Sequence, residues 1–146
     1  MAKTIFLNLP VADVEKSTAF YKALGFEQNM QFSQEGQAAA MVWSDTISVM
    51  LLSHEFFQTF LPAGKTIADT RAATEALICL SFDSREEVDA VTEAAARAGG
   101  RADVRDRQDM GFMYARAFED PDGHIYEPMF MDMAAAAAAM TDTVPA

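Results

Sequence analysis

Three polar side chains lie within apolar, strand-like segments, where a side chain can face a cavity. Asn8, Cys79 and Glu127 can each form hydrogen bonds, and the carboxyl of Glu127 can also donate or accept a proton. Side chains alternate along a strand, so Asn8 shares a face with Phe6, and Cys79 shares one with Leu77. These residues are the first candidates for binding or catalysis, and the surrounding elements decide whether they meet.

Residues 1–53 have the pattern of one β-α-β-β-β module. An apolar segment at 3–9 ends before Pro10, and the helix that follows has Asp13 as a candidate N-cap and Gly25 at its end. Polar turns then separate three predicted strands, at 27–33, 37–43 and 46–53. Residues 54–74 are predicted to be a linker that could hold a short helix.

The same pattern returns in residues 75–132. A strand at 77–83 leads into a helix whose capping box is either Asp83 with Glu86 or Ser84 with Glu87. Three more strands are predicted at 101–107, 111–118 and 124–131, with a hairpin turn at 120–123. Residues 133–146 form an Ala-rich tail, predicted to be a helical extension or a frayed end.

Internal duplication therefore organises the chain. Asp83 stands 70 positions after Asp13, each at the end of an apolar strand. A four-stranded half-sheet with one helix leaves an apolar face that a second copy can cover. We predict an α+β fold in which two tandem β-α-β-β-β modules form a curled eight-stranded mixed sheet around a cavity.

Charge and cysteine content limit the partners. The chain of 146 residues carries a formal net charge of −11, which disfavours nucleic acid and anionic membranes. The same charge would favour a cationic ligand, but an acidic surface can also serve only to keep the protein in solution. Cys79 is the single cysteine, so no disulfide forms within the chain and no Cys-cluster zinc site is expected. No apolar run approaches the roughly 18 to 20 residues of a membrane span. We expect a cytoplasmic protein.

Two motifs resemble those of a known superfamily. Residues 11–21, continued by Leu24-Gly25-Phe26, are similar to the opening motif of the vicinal oxygen chelate superfamily, which includes glyoxalase I, extradiol dioxygenases and bleomycin resistance proteins. Residues 118–124 with Glu127 resemble its closing motif, and the resemblance spans about 3–132. It implies the duplicated fold and a homodimer. It leaves function open, because the superfamily contains several kinds of enzyme as well as proteins that only bind drugs.

The resemblance also implies where a catalytic cation would be held. The four ligand positions of the metalloenzymes fall on Phe6, Met50, Leu77 and Glu127, of which only Glu127 is a hard donor. His54 and His124 fall elsewhere in the sequence. We therefore expect no metal cofactor. The alternative is one divalent metal at Glu127, if the positions are misassigned.

What remains is a metal-free apolar pocket with a few polar groups, which is typical of a small-molecule site. We expect the Tyr114 hydroxyl to face it and Trp43 to add to its wall. The predicted ligand-binding residues are Phe6, Asn8, Trp43, Met50, Leu77, Cys79 and Tyr114.

Glu127 is the candidate catalytic residue. In a cavity without a countercharge, burial would favour its neutral form and let it donate or accept a proton near neutral pH. It could instead be a structural carboxylate, bonded to Tyr, Asn or backbone groups.

Two classes of function follow from these features. The first is capture of a small molecule, cationic or aromatic, without a metal. The alternative is an enzyme: a metal-dependent lyase or dioxygenase, or a metal-free catalyst that uses Glu127. A third class, an interaction module with no small ligand, would require the cavity to be filled.

Overall fold

The computed structural model describes residues 1–143, and the end of the predicted tail, 144–146, lies outside them. The chain divides into two compact units, Met1–Ala73 and a second that begins at Thr74. Each unit combines helices with a β-sheet, which confirms the predicted α+β class. The closure of the two modules around one cavity stays a prediction.

The first unit has the predicted β-α-β-β-β order. Its elements are β1 (Ile5–Val11), α1 (Val14–Ala23), β2 (Glu27–Gln34), β3 (Ala38–Ser44), β4 (Ile47–Ser53) and the short α2 (His54–Gln58). The strands lie in the order β1-β4-β3-β2, with β1 parallel to β4 and the other pairs antiparallel.

Helix α1 covers one face of the first sheet. The Asp13 carboxylate accepts a hydrogen bond from the Lys16 backbone N–H at 3.1 Å, and Gly25, with φ of 103°, ends the helix in the left-handed region. Phe20 and Tyr21 of α1 are fully buried on the side of the helix that packs against the sheet. The buried strand side chains of this core are Leu9, Val11, Met41, Val49 and Leu51. Because side chains alternate along a strand, the other face of the sheet is free to form a site.

The second unit repeats this plan with shorter strands. Its elements are β5 (Leu77–Phe82), α3 (Arg85–Arg97), β6 (Arg101–Ala102), β7 (Gln108–Asp109), β8 (Met113–Ala115), β9 (Phe118–Glu119), β10 (Ile125–Met131) and α4 (Met133–Thr143). Strand β10 is parallel to β5 and antiparallel to β8 and β9.

Two of the predicted strands are interrupted in the second unit. Segment 101–107 keeps only β6 at its start, and segment 111–118 is divided between β8 and β9. Asp103 has a φ of 54°, and this left-handed conformation cannot continue an extended strand. The described chain therefore has ten strand segments where eight longer strands were predicted.

Helix α3 begins at the second of the two capping boxes considered. The Ser84 hydroxyl accepts a hydrogen bond from the Glu87 N–H at 3.1 Å, while the Glu87 carboxylate accepts one from the Asp83 N–H at 2.8 Å. No helix in the described part of the chain has the length and apolar character that a membrane span needs.

Candidate functional site

An open apolar cup lies on the face of the first sheet opposite α1. Asn8 pairs with Met50, and Ala38 pairs with Leu52, so these side chains point to the same side. Helix α2 lies against β1 and β4. Two cavities of about 390 and 430 Å³ share Asn8, Leu52 and Phe60, and together they form the cup. The residues that line it are Asn8, Gln31, Phe32, Ser33, Gln34, Ala38, Met50, Leu52, Phe56, Phe57, Phe60 and Leu61.

Helix α2 and the turn that follows it supply the aromatic wall of the cup. It starts at the end of β4, where the Ser53 hydroxyl accepts a hydrogen bond from the Phe56 N–H at 3.1 Å. The rings of Phe56 and Phe60 then meet edge to face, with their centroids 5.0 Å apart. Phe60 is 66% exposed, so a large part of an apolar ring that lines the cup is in contact with solvent.

A bulge in β2 forms the opposite wall. The pairing of β2 with β3 shifts between Asn29 and Gln34. Ser33 closes this bulge, because its hydroxyl donates to the Asn29 carbonyl at 2.7 Å and accepts from the Ala40 N–H at 3.1 Å. Phe32, inside the bulge, lines the cup and is 63% exposed.

Of the predicted ligand-binding residues in the first unit, Asn8 and Met50 line the cup together. Phe6 shares their face of β1 but lies beside Ser48, outside the cavities, and is exposed. The prediction for Trp43 is wrong. Its ring packs 4.9 Å from that of Phe26, which in turn meets Tyr21 of α1, so Trp43 belongs to the α1 side of the sheet.

The phenylalanines of the cup were not predicted as site residues. Phe56, Phe57 and Phe60 lie in the segment 54–74, which was expected to be a linker. The sequence did contain a signal, since a cluster of phenylalanines directly after an apolar strand is unusual for a solvated linker.

The second unit places Cys79 directly opposite Glu127 across the pair formed by β5 and β10. Leu77 lies two residues before Cys79 on the same face and is 58% exposed. Arg105 was not predicted to take part. Its guanidinium donates from Nη2 and Nε to one Glu127 oxygen, at 2.6 and 3.1 Å.

Tyr114 faces away from Glu127, and the prediction that its hydroxyl is directed into the pocket is wrong. Tyr114 pairs with Phe130, and residues 127 and 130 fall on opposite faces of β10. The Tyr114 hydroxyl donates to Asp89 of α3 at 2.6 Å. Burial, together with this bond to an acceptor, raises the pKa of Tyr114.

Arg116 is the buried charge on this α3 side of the second sheet. Its guanidinium contacts Asp89 at 3.0 Å, Glu93 at 2.9 Å and Asp103 at 2.7 Å, while its side chain is only 2% exposed. The hydrogen bonds from Arg116 lower the pKa of Asp103. We interpret this cluster as a structural network, because the Arg116 Nε, Nη1 and Nη2 atoms all donate to carboxylates of the same unit.

The residues present do not fit the cation that the resemblance implies. Phe6 and Leu77 have no lone pair, and Met50 is a soft thioether donor. The one hard donor, Glu127, is already paired with Arg105. Among residues 1–140, whose side chains the structure describes, no three His, Cys, Asp or Glu side chains are grouped so that they could hold a metal ion.

The ion pair also bears on Glu127 as a catalyst. The Arg105 guanidinium directs two donors at one Glu127 oxygen, at 2.6 and 3.1 Å, so that oxygen is already engaged in an ion pair and is not available to a ligand. The geometry favours the structural interpretation of Glu127, with an arginine as partner in place of the Tyr, Asn or backbone groups expected.

The pKa of the Cys79 thiol depends on both members of this ion pair. Although the residue is exposed overall, desolvation of the thiol raises its pKa, the Glu127 charge raises it further, and Arg105 opposes both. Glu127→Gln should therefore speed alkylation of Cys79 by iodoacetamide near neutral pH, by about two- to fivefold, because the thiolate fraction rises. The rate can be followed by mass spectrometry without ambiguity, since Cys79 is the single cysteine.

Arg105→Gln is the matched control for this measurement and should slow the reaction, because it removes the charge that favours the thiolate. Rates that change in the same direction in both variants would contradict the pairing of Glu127 with Arg105 beside Cys79.

The chain is similar to known proteins in part of its sequence and in its fold. Residues 3–42 match the family model described as bleomycin resistance protein-like N-terminal. No curated protein matches the sequence.

Solved structures cover most of the chain. A hypothetical protein from S. aureus is 28% identical, with a TM-score of 0.72 over 89% of this chain and 95% of its own. A glyoxalase/bleomycin resistance protein/dioxygenase family enzyme from Burkholderia phytofirmans PsJN is 17% identical, with a TM-score of 0.68 over 89% and 99%. A lactoylglutathione lyase from Agrobacterium tumefaciens is 16% identical, with a TM-score of 0.64 over 91% and 96%.

These likenesses agree with the two sequence motifs and with the repeated plan of the two units. The chain therefore has the fold of the vicinal oxygen chelate superfamily, which contains the glyoxalases, bleomycin resistance proteins and dioxygenases.

Proposed function

We propose that this protein binds a small organic molecule in the cup of the first unit, without a metal ion. The observation that carries the proposal is the cup itself, whose two joined cavities of about 390 and 430 Å³ have an apolar, aromatic lining. Cavities of this size with few polar groups are typical of small-molecule sites.

Two further features support binding over catalysis. Residues 3–42, which supply six of the twelve residues that line the cup, match the bleomycin resistance protein-like N-terminal family model, and bleomycin resistance proteins bind a drug. The one candidate catalytic acid, Glu127, is paired with Arg105. Where the structure describes side chains, Glu127 belongs to no group of three His, Cys, Asp or Glu residues that could hold a metal ion. Binding needs only shape and a few polar contacts, which the cup provides.

A thermal-shift screen of aromatic compounds tests the proposal. A compound present at about 100 times its dissociation constant stabilises the folded protein by about 2.7 kcal/mol. For a chain of this length, that corresponds to a rise in Tm of roughly 5 to 10 °C. The absence of any saturable shift across an aromatic library would overturn the proposal.

A further inference from the structure

We infer that the ligand of the cup is a neutral, flat ring compound with an adjacent hydrogen-bond donor and acceptor, such as a cyclic amide, and that Asn8 recognises this polar edge. The inference rests on the proposed function and specifies its ligand class. It replaces the expectation, drawn from net charge, that the ligand is cationic.

Charge is the first argument. Within the described part of the chain, no Lys, Arg, His, Asp or Glu lines the cup. A charged ligand would lose hydration on entering and would gain no countercharge in return. The surplus of acidic residues over the whole chain does not change this, because surface charges beyond about 10 Å are screened at ordinary ionic strength. The cup therefore selects against ions of either sign.

The Asn8 amide is the second argument. Asn8 lines both cavities, and its side chain makes no hydrogen bond to any residue from 1 to 140, the range over which the structure describes side chains. An amide has one acceptor oxygen and an N–H₂ donor, and a cyclic amide offers the complementary pair on one edge. A ligand that covered Asn8 without matching it would leave the amide desolvated and unpaired, which costs affinity.

The third argument concerns shape. Phe56 and Phe60 stand edge to face at 5.0 Å on one wall, and Phe32 is on the other wall. Aromatic rings favour offset-stacked or edge-to-face contact with a second ring. Phe60 and Phe32 are both exposed in this structure, so a planar ligand between them would cover apolar surface that now faces solvent.

Three probes with the same bicyclic frame separate these ideas in calorimetric titrations: neutral 2-quinolinone, cationic 1-methylquinolinium and anionic quinoline-2-carboxylate. We expect 2-quinolinone to bind at least about tenfold more tightly than either ion. Equal or tighter binding of one ion would overturn the inference and leave the proposed function standing. No binding of any probe, together with no hit in the aromatic screen, would overturn both.

Variants of Asn8 test its role separately. In the unchanged protein, 1-methyl-2-quinolinone lacks the N–H donor and should bind about tenfold more weakly than 2-quinolinone. Asn8→Leu should bring this ratio close to one, because an aliphatic side chain cannot distinguish the two compounds. Gln28→Leu makes a similar change outside the cup and should keep the ratio.

Asn8→Asp provides a second readout that does not depend on loss of binding. It adds a carboxylate to the cup and should make 1-methylquinolinium the preferred probe. A ratio unchanged in Asn8→Leu, or a probe order unchanged in Asn8→Asp, would contradict the assignment of the polar contact to Asn8.

Discussion

Replacing Arg116 with methionine is expected to lower the free energy of unfolding by about 2 to 4 kcal/mol near neutral pH. Methionine fills much of the same volume, so the loss is mainly electrostatic. The three carboxylates around Arg116 have side chains that are 45%, 51% and 38% exposed. They can regain water when the guanidinium is removed, which places the expected loss below that of breaking a fully buried pair.

The loss should depend on pH in a defined direction. Hydrogen bonds from Tyr114 and Arg116 outweigh desolvation and lower the pKa of Asp89, and Arg116 lowers that of Asp103. A carboxyl whose folded pKa is depressed contributes stability above its unfolded value and loses it as the pH falls through the folded value. The unfolded value is 3.8, so the difference between the variant and the parent should shrink below about pH 4.

Urea unfolding near pH 7 and near pH 3 measures both effects, with Arg97→Met as the control. Arg97 is exposed and lies in α3 with Asp89 and Glu93, so its replacement should cost less than about 0.5 kcal/mol. An Arg116→Met loss of equal size at both pH values would show that packing, and not the carboxylate network, accounts for the burial of Arg116.

Met50→Trp is expected to abolish ligand binding, with a loss of affinity of about a hundredfold or more. Met50 is half-buried between Asn8 and Ala40 on the cup face, and a larger indole there would occupy the space a ligand needs. The thermal shift given by 2-quinolinone should disappear in this variant. Since the Met50 side chain is partly exposed, the indole can be accommodated without unfolding the sheet.

Met30→Trp is the matched control. Met30 is 71% exposed and lies on the side of the β2–β3 hairpin that faces α1, so the same substitution there should leave the shift intact. Retention of full affinity in Met50→Trp would place the ligand outside the cup.

Local patterns in the sequence were sufficient to predict the first unit. Strand alternation, the Asp13 cap and the position of Gly25 each act over a few residues, and the structure shows β1, α1 and the three following strands where these signals lie. The second unit was predicted less well. The left-handed conformation at Asp103 and the interruption after Ala115 have no comparable signal, because non-glycine residues rarely adopt positive φ.

Predicting the site residues required knowing which face of the sheet each side chain occupies. The alternation of side chains along a strand leaves two possible assignments for every strand. Trp43 and Tyr114 were assigned to the wrong face for this reason. For Tyr114, the acidic pair Asp89 and Glu93, spaced four residues apart on a helix, was the available signal that Arg116 and its neighbours face α3. Arg105 could not be predicted as the partner of Glu127, because their contact joins groups 22 positions apart through an irregular segment.

Methyl resonances of the methionines give the most direct test of binding in the cup. The chain has ten methionines, of which Met50 lines the cup and Met41 is fully buried on the α1 face of the same sheet. In a titration of ¹³C-methyl-methionine protein with 2-quinolinone, the Met50 signal, assigned by its loss in Met50→Leu, should shift saturably while the Met41 signal stays in place. A Met50 signal that does not move at a concentration that saturates binding by calorimetry would contradict the account.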